Sequence, residues 1–108
     1  MIMKQLSIIV PMLDEAVALP LLLQRLSALQ DQGCEIIIAD GGSTDGSLAI
    51  LQQVDFDCKV VHAARGRALQ MNAGAAHACT QALLFLHADT CLPDGAADLI
   101  AKALEQSC

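Results

Sequence analysis

Apolar positions along the chain follow two alternating patterns, short unbroken runs and stripes at helical spacing. Leu6 to Val10 and Glu35 to Ala39 are runs of the first kind, rich in β-branched residues and ended by a breaker, and each predicts a buried strand. Lys59 to His62 predicts a weaker third strand. Ala82 to His87 predicts a fourth, and its lack of polar alternation predicts cover on both faces, as in a parallel sheet. Between the first two runs, Leu19, Leu22, Leu23, Leu26 and Leu29 share one helical face, Pro20 fits only a first turn, and Gly33 closes the segment. A second helix is expected to begin near Ser43 to Asp45, where a hydroxyl and a carboxylate can cap open amides. A third, about Arg67 to Cys79, carries Ala68, Ala75 and Ala76, small enough for close approach to a sheet, and a fourth follows Pro93. Four strand–helix units with short loops predict an α/β fold: a doubly wound, mainly parallel sheet with helices on both faces.

Composition narrows what such a domain can do. A length of 108 residues fits one domain, and an apolar fraction of 55% is ample for a core built from Leu, Ile, Val and Ala. Aromatic residues make up 2%, which excludes the base-stacking platforms of single-strand binders. The net charge is -6 with the basic residues scattered, so no nucleic-acid partner is expected. Cys34, Cys58, Cys79, Cys91 and Cys108 are odd in number and form no Cys-x-x-Cys pair, which predicts reduced, mostly buried thiols rather than a disulfide framework or a zinc site. The opening apolar run is too short for a signal peptide, and no stretch is long enough for a transmembrane segment, so the chain is read as cytoplasmic.

In open parallel sheets, ligands bind at the carboxyl ends of the strands, and each predicted strand here ends in a polar cluster. Pro11 to Glu15 follow the first, Asp40 to Gly46 the second, Arg65 to Arg67 the third, and His87 to Thr90 the fourth. Asp40 can accept hydrogen bonds from a ribose or a base imide, or it can merely cap its turn; Gly41 and Gly42 permit a tight turn and leave room for a ligand. His87 and Asp89 lie on the same side of an extended segment, as two ligands of a hard divalent ion would, although lone acids at strand ends are more often caps. Arg65 and Arg67 can neutralise phosphates, but most arginines are simply solvated. Asn72 and Gly74 face either a ligand or a packing partner. His62 and His77 have no companion at ligand spacing and are read as structural.

Taken in order, Leu6-Ser7-Ile8-Ile9-Val10-Pro11-x-x-Asp14-Glu15, Ala39-Asp40-Gly41-Gly42-Ser43-Thr44-Asp45-Gly46-Ser47, Gly66-Arg67-Ala68 through Asn72-Ala73-Gly74, and Leu84-Phe85-Leu86-His87-Ala88-Asp89-Thr90 resemble the family 2 glycosyltransferases of GT-A fold. Within that family the chain is similar to the small bacterial subgroup of arsenosugar-biosynthesis or selenodomain-associated transferases. The resemblance implies that residues 1–108 are the nucleotide-binding, N-terminal part of a glycosyltransferase domain. It further implies a nucleotide-sugar donor, UDP-sugar above all, bound with Mn²⁺ or Mg²⁺ and transferred with inversion to an unknown acceptor. Pro11 and Glu15 would line the base and ribose pocket, Asp40 would contact the base, Arg67 would sit near base or phosphates, Asn72 would join the nucleotide site, and Asp89 with His87 would hold the metal. The family commonly has Asp where His87 stands and Asn where Asp14 stands.

The resemblance places the acceptor pocket and catalytic base in a further stretch of similar length, so this chain is expected to bind donor weakly and to show no transferase turnover by itself. The alternative is a non-catalytic nucleotide-binding or oligomerisation module of the same fold, a homo-oligomer through surfaces left open. A dinucleotide-binding domain is disfavoured because no Gly-x-Gly-x-x-Gly follows the first strand. A nucleotidyltransferase is disfavoured by the lack of a Gly-rich basic loop there.

Overall fold

Strands and helices alternate through residues 6–86, the part of the chain that the computed structural model describes. The elements are β1 (Leu6–Met12), α1 (Leu19–Asp31), β2 (Glu35–Asp40), α2 (Ser47–Leu51), β3 (Lys59–His62), α3 (Arg67–Ala76) and β4 (Ala82–Phe85). The four strands form one parallel sheet in the order β3-β2-β1-β4. The chain therefore steps outward from β1 to β3 and then returns past β1 to reach β4. That reversal, between β1 and β4, is where open α/β sheets form a crevice at the strands' carboxyl ends. The expected helix after Pro93 and the residues His87 and Asp89 lie outside the described residues.

One face of the sheet carries the main core. Leu6, Ile8, Val10 and Met12 of β1 and Ile36 and Ile38 of β2 meet Leu19, Leu22, Leu23, Leu26 and Leu29 of α1, with Leu51 of α2 beside them. Burying each such side chain contributes on the order of 2 kcal/mol, which makes this the largest stabilising block. Pro20 sits in the first turn of α1, and Gly33, at φ 99°, ends it as expected, with Cys34 N–H closing onto the Leu29 carbonyl at 3.1 Å.

The opposite face is covered by α3, which packs on β1, β2 and β3. Its approach is close because Gly74 lies against Ile9: a Cβ at position 74 would come within 2.5 Å of Ile9 Cγ2. The same placement leaves β4 less covered than its sequence predicts. Leu83 and Phe85 are 41% and 39% exposed, since an unbroken apolar run shows only that cover is wanted, and α3 lies over the other three strands. Two helix bounds also differ. α2 begins at Ser47 rather than near Ser43 to Asp45, with Gly46 at φ 96° just ahead of its first turn, and α3 ends at Ala76 rather than about Cys79.

The amino-terminal rim of the sheet is closed by a polar cluster. Glu35, buried at the start of β2, accepts hydrogen bonds from Ser7 Oγ at 2.6 Å and Cys79 N–H at 2.9 Å, and pairs with Lys59 Nζ at 2.7 Å. Burial, the largest single influence, opposes its ionisation, but Lys59, Ser7 and the Cys79 amide together outweigh it and hold the carboxyl at about 2, against an ordinary 4.5. Of the cysteines expected to be mostly buried, Cys34 is, Cys58 is half-buried and Cys79 is exposed; none of the three is in a disulfide.

Two outcomes follow for stability. Replacing a helical glycine by alanine normally gains about 1 kcal/mol, but Gly74→Ala forces a methyl group into the fully buried Ile9, and overpacking costs about 1–3 kcal/mol. A net loss of about 1 kcal/mol is expected in urea unfolding, whereas a gain would show that α3 is not seated on Ile9. Because the Glu35 carboxyl is depressed in the folded state, its contribution is fully present above pH 4.5 and lost as the pH falls towards 2. Glu35→Gln should flatten the fall in urea midpoint across that window; an unchanged slope would assign the acid sensitivity elsewhere.

Candidate functional site

Because β1 is hydrogen-bonded on both sides, its carboxyl end meets two loops and a helix start. Ile9 carbonyl oxygen accepts the Leu86 amide at 3.0 Å on the β4 side, and Met12 carbonyl oxygen accepts the Gly41 amide at 3.0 Å on the β2 side. Pro11 faces the same side as Ile9, one step beyond the last β4 partner, so its missing N–H leaves no gap in the ladder. Next to it opens a cleft of about 140 Å³ lined by Pro11, Met12, Leu13, Glu15, Arg67 and Gln70. That is less than half of the ~300 Å³ of a small-molecule site, and the residues named form its wall.

Three residues singled out in the sequence thus come together: Pro11 from the end of β1, Glu15 from the β1–α1 loop, and Arg67 from the first turn of α3. The N-cap Gly66 makes no side-chain cap bond, and the positive end of α3 lies by the cleft that Arg67 lines. Glu15 supplies the opposite charge across it. Arg65 is exposed in the preceding loop, and Asn72 is exposed, about 200° around the helix from Gln70; neither lines the cleft. His77 bonds the Ala73 carbonyl at 2.9 Å through Nδ1, which fits its structural reading.

Asp40 ends β2 and is 1% exposed. Its carboxylate accepts the Gly42 amide at 2.9 Å, the Ser43 amide at 3.1 Å and Ser43 Oγ at 2.5 Å, so both oxygens are engaged within its own turn. Of the two roles open to it, capping the turn is the one this geometry displays, with little acceptor capacity left over. Gly42, at φ 104°, needs the freedom of glycine, as expected. The space beside Gly41 is not left for a ligand: a Cβ there would meet the Gln70 side-chain amide at 2.7 Å.

A lattice of side-chain to backbone bonds joins the two loops. Asp14 Oδ1 accepts the Thr44 amide at 2.7 Å while Asp14 N–H donates to Ser43 Oγ at 2.9 Å. Asp45 Oδ2 accepts the Ala16 amide at 3.0 Å, and the buried Ser47 hydroxyl accepts from the Glu15 amide at 3.1 Å while donating to Asp45. Hydrogen bonds from the Ser47 hydroxyl first, and then from the Ala16 amide, hold the Asp45 carboxyl below its usual range. Asp45 therefore ties loop to loop as well as capping α2, which explains a carboxylate two residues ahead of the helix. Asp14 takes φ 52°, a conformation that Asp and Asn tolerate better than other side chains.

Gln70 is a residue of this cleft that the strand-end motifs do not mark. It is 4% exposed, and Nε2 donates to the carbonyls of Met12 at 2.7 Å and Ala39 at 2.9 Å while Oε1 accepts the Gly66 amide at 3.2 Å. The available signal was its spacing: Gln70 and Gly74 are four apart on an alanine-rich helix, hence on one face. Among the described residues no group of three His, Cys, Asp or Glu side chains converges as metal ligands. Asp89 and His87 lie outside them.

Residues 7–108 match the family model described as Glycosyl transferase family 2. No curated protein matches the chain significantly. Among solved structures, residues 1–349 of S. aureus TarS superpose with a TM-score of 0.83 at 20% identity, covering 95% of this chain and 33% of TarS. The same region of TarS in complex with UDP gives 0.78 at 22% identity, covering 95% and 32%, and in complex with UDP-GlcNAc 0.78 at 20%, covering 95% and 32%. The chain spans about a third of the length of the solved structures it matches.

Asp40→Asn tests the capping role. The amide swaps one acceptor for a donor that would face the amides of Gly42 and Ser43, and hydrogen bonds to a charged partner are worth about 1.5–3 kcal/mol. A stability loss of that order is expected in chemical denaturation, and a neutral substitution would remove Asp40 from the turn's support.

Proposed function

The chain belongs to glycosyl transferase family 2, and we propose that it binds the nucleotide of a UDP-sugar along the cleft between the β1–α1 loop and the start of α3. The observation that carries the reading is the convergence of Pro11, Glu15 and Arg67, drawn from separate parts of the chain, on one cleft at the strands' carboxyl rim. In this reading Pro11 and Leu13 offer an apolar edge to the base, Glu15 accepts from a ribose hydroxyl or a base imide, and Arg67 with the α3 start meets the diphosphate. A fold match to TarS in complexes with UDP and UDP-GlcNAc supports the choice of a uridine nucleotide. Asp40 serves mainly by holding the turn, and Asn72, on the far side of α3, has no part in the described wall.

Transfer of the sugar to an acceptor, with inversion at the anomeric carbon, needs a base on the face opposite the leaving diphosphate; that base and the acceptor are assigned to the chain beyond this wall. A divalent Mn²⁺ or Mg²⁺ ion, when bound, would offset the charge developing on the leaving group. The described side chains do not suffice to hold it. Asp89, with His87, is proposed as its protein contact because it stands three positions, roughly 10–11 Å of chain at most, after Leu86, which bonds to β1. Reduced thiols are in keeping with a cytoplasmic protein. The exposed Leu83 and Phe85 favour a second reading, a module that self-associates through this face of β4.

Titrating UDP with and without Mn²⁺ into the wild type, Arg67→Ala and Asp89→Ala separates these readings. The wild type should bind more tightly with Mn²⁺, Arg67→Ala should bind roughly tenfold or more weakly through the lost charged contact, and Asp89→Ala should no longer respond to the metal. Equal affinity in all three proteins would overturn the site. Concentration-dependent association with no UDP binding would favour the second reading.

A further inference from the structure

Taking the UDP cleft above as its premise, we infer that Gln70 is a positioning residue that sets the width of the cleft by joining its two walls, and that Gly41 is glycine in order to keep Gln70 there. The walls have different origins. One is the end of β1 and the loop after it; the other is the first turn of α3. Gln70 touches both through a single side-chain amide. Its Nε2 spends both hydrogens on strand-end carbonyls, Met12 and Ala39, at 2.7 and 2.9 Å. Its Oε1 accepts the Gly66 amide at 3.2 Å, and its own backbone amide donates to the Gly66 carbonyl at 2.9 Å.

Gly66 is thus gripped at both its N–H and its C=O by one residue. It adopts φ 140°, a region that favours glycine, and the next residue is Arg67. The direction in which the chain enters α3, and with it the base of the Arg67 side chain, is therefore set by the same amide that holds Met12, the residue next to Pro11. A polar group that only satisfied the strand-end carbonyls would have no reason to reach Gly66 as well. Steric fit makes the arrangement selective: a Cβ on Gly41 would lie 2.7 Å from both Cδ and Oε1 of Gln70 and 3.0 Å from Nε2. Gly41 takes no positive φ, so conformational freedom does not account for the glycine and the close approach does. A methyl group there would push the amide off its partners.

The test is a double-mutant cycle on UDP affinity in the intact protein, with unfolding midpoints recorded for every variant. Gln70→Met keeps the length and loses the three side-chain bonds; Gly41→Ala keeps Gln70 and displaces it, so the second variant stands in if the first fails to fold. Each is combined with Arg67→Ala. If Gln70 acts by placing Arg67, each of the three single substitutions weakens UDP roughly tenfold, and each double variant binds within about twofold of the weaker single, since a misplaced arginine has nothing more to lose. Losses that multiply in the doubles would overturn the inference, as would Gln70→Met or Gly41→Ala lowering stability while leaving UDP affinity intact. If Arg67→Ala alone leaves UDP binding unchanged, the cleft itself is misassigned and the brace falls with it.

Discussion

Two adjacent strands with both faces buried carry all their unmet hydrogen-bonding groups to their ends, and this constraint organises the molecule. β1 and β2 are buried almost throughout, with α1 on one side and α3 on the other. Buried polar groups need partners, so each rim of the sheet must be finished by side chains or by neighbouring loops. Among the described residues, no buried side-chain nitrogen or oxygen lacks a partner.

The two rims are finished in different ways. At the amino-terminal rim Glu35, Ser7, Lys59 and Thr80 bond to one another, with the Ser7 and Thr80 hydroxyls 2.6 Å apart. At the carboxyl-terminal rim the carboxylates of Asp14, Asp40 and Asp45 are turned onto backbone amides, and the loops they hold leave Glu15 and Arg67 beside a cleft. Acidic residues there act first as acceptors for the backbone. Most of their hydrogen-bonding capacity goes to shaping the loops.

Close packing on the second face depends on what the side chains omit. Gly74 admits Ile9, and Gly41 admits the amide of Gln70, each at a distance that a methyl group would violate. α3 can therefore lie low on the sheet while one polar residue reaches from it into the gap between two strand ends. The cost is paid at the edge of the sheet, where α3 leaves Leu83 and Phe85 of β4 partly open.

The sequence by itself determined the order and type of the described elements and the parallel sheet, and it directed the expected chemistry to the strands' carboxyl ends. Runs such as Ile8-Ile9-Val10 and Ile36-Ile37-Ile38, the leucine stripe of α1, Pro20 and Gly33 act through local periodicity and backbone freedom, which need no knowledge of neighbours. Clusters at the strand ends and the family resemblance also marked Pro11, Glu15 and Arg67, which line one cleft in the structure. Only the tertiary structure decided that Asp40 spends its oxygens on Gly42 and Ser43, that Asp45 reaches Ala16, that Asn72 faces away from the cleft, and that Gln70 spans Met12, Ala39 and Gly66. Asp45 and Ala16 stand 29 positions apart, and Gln70 stands 31 and 58 positions from Ala39 and Met12, separations that carry no local signal of proximity. The turn after Asp40 is local, but its side-chain bonds are one of two roles the sequence left open.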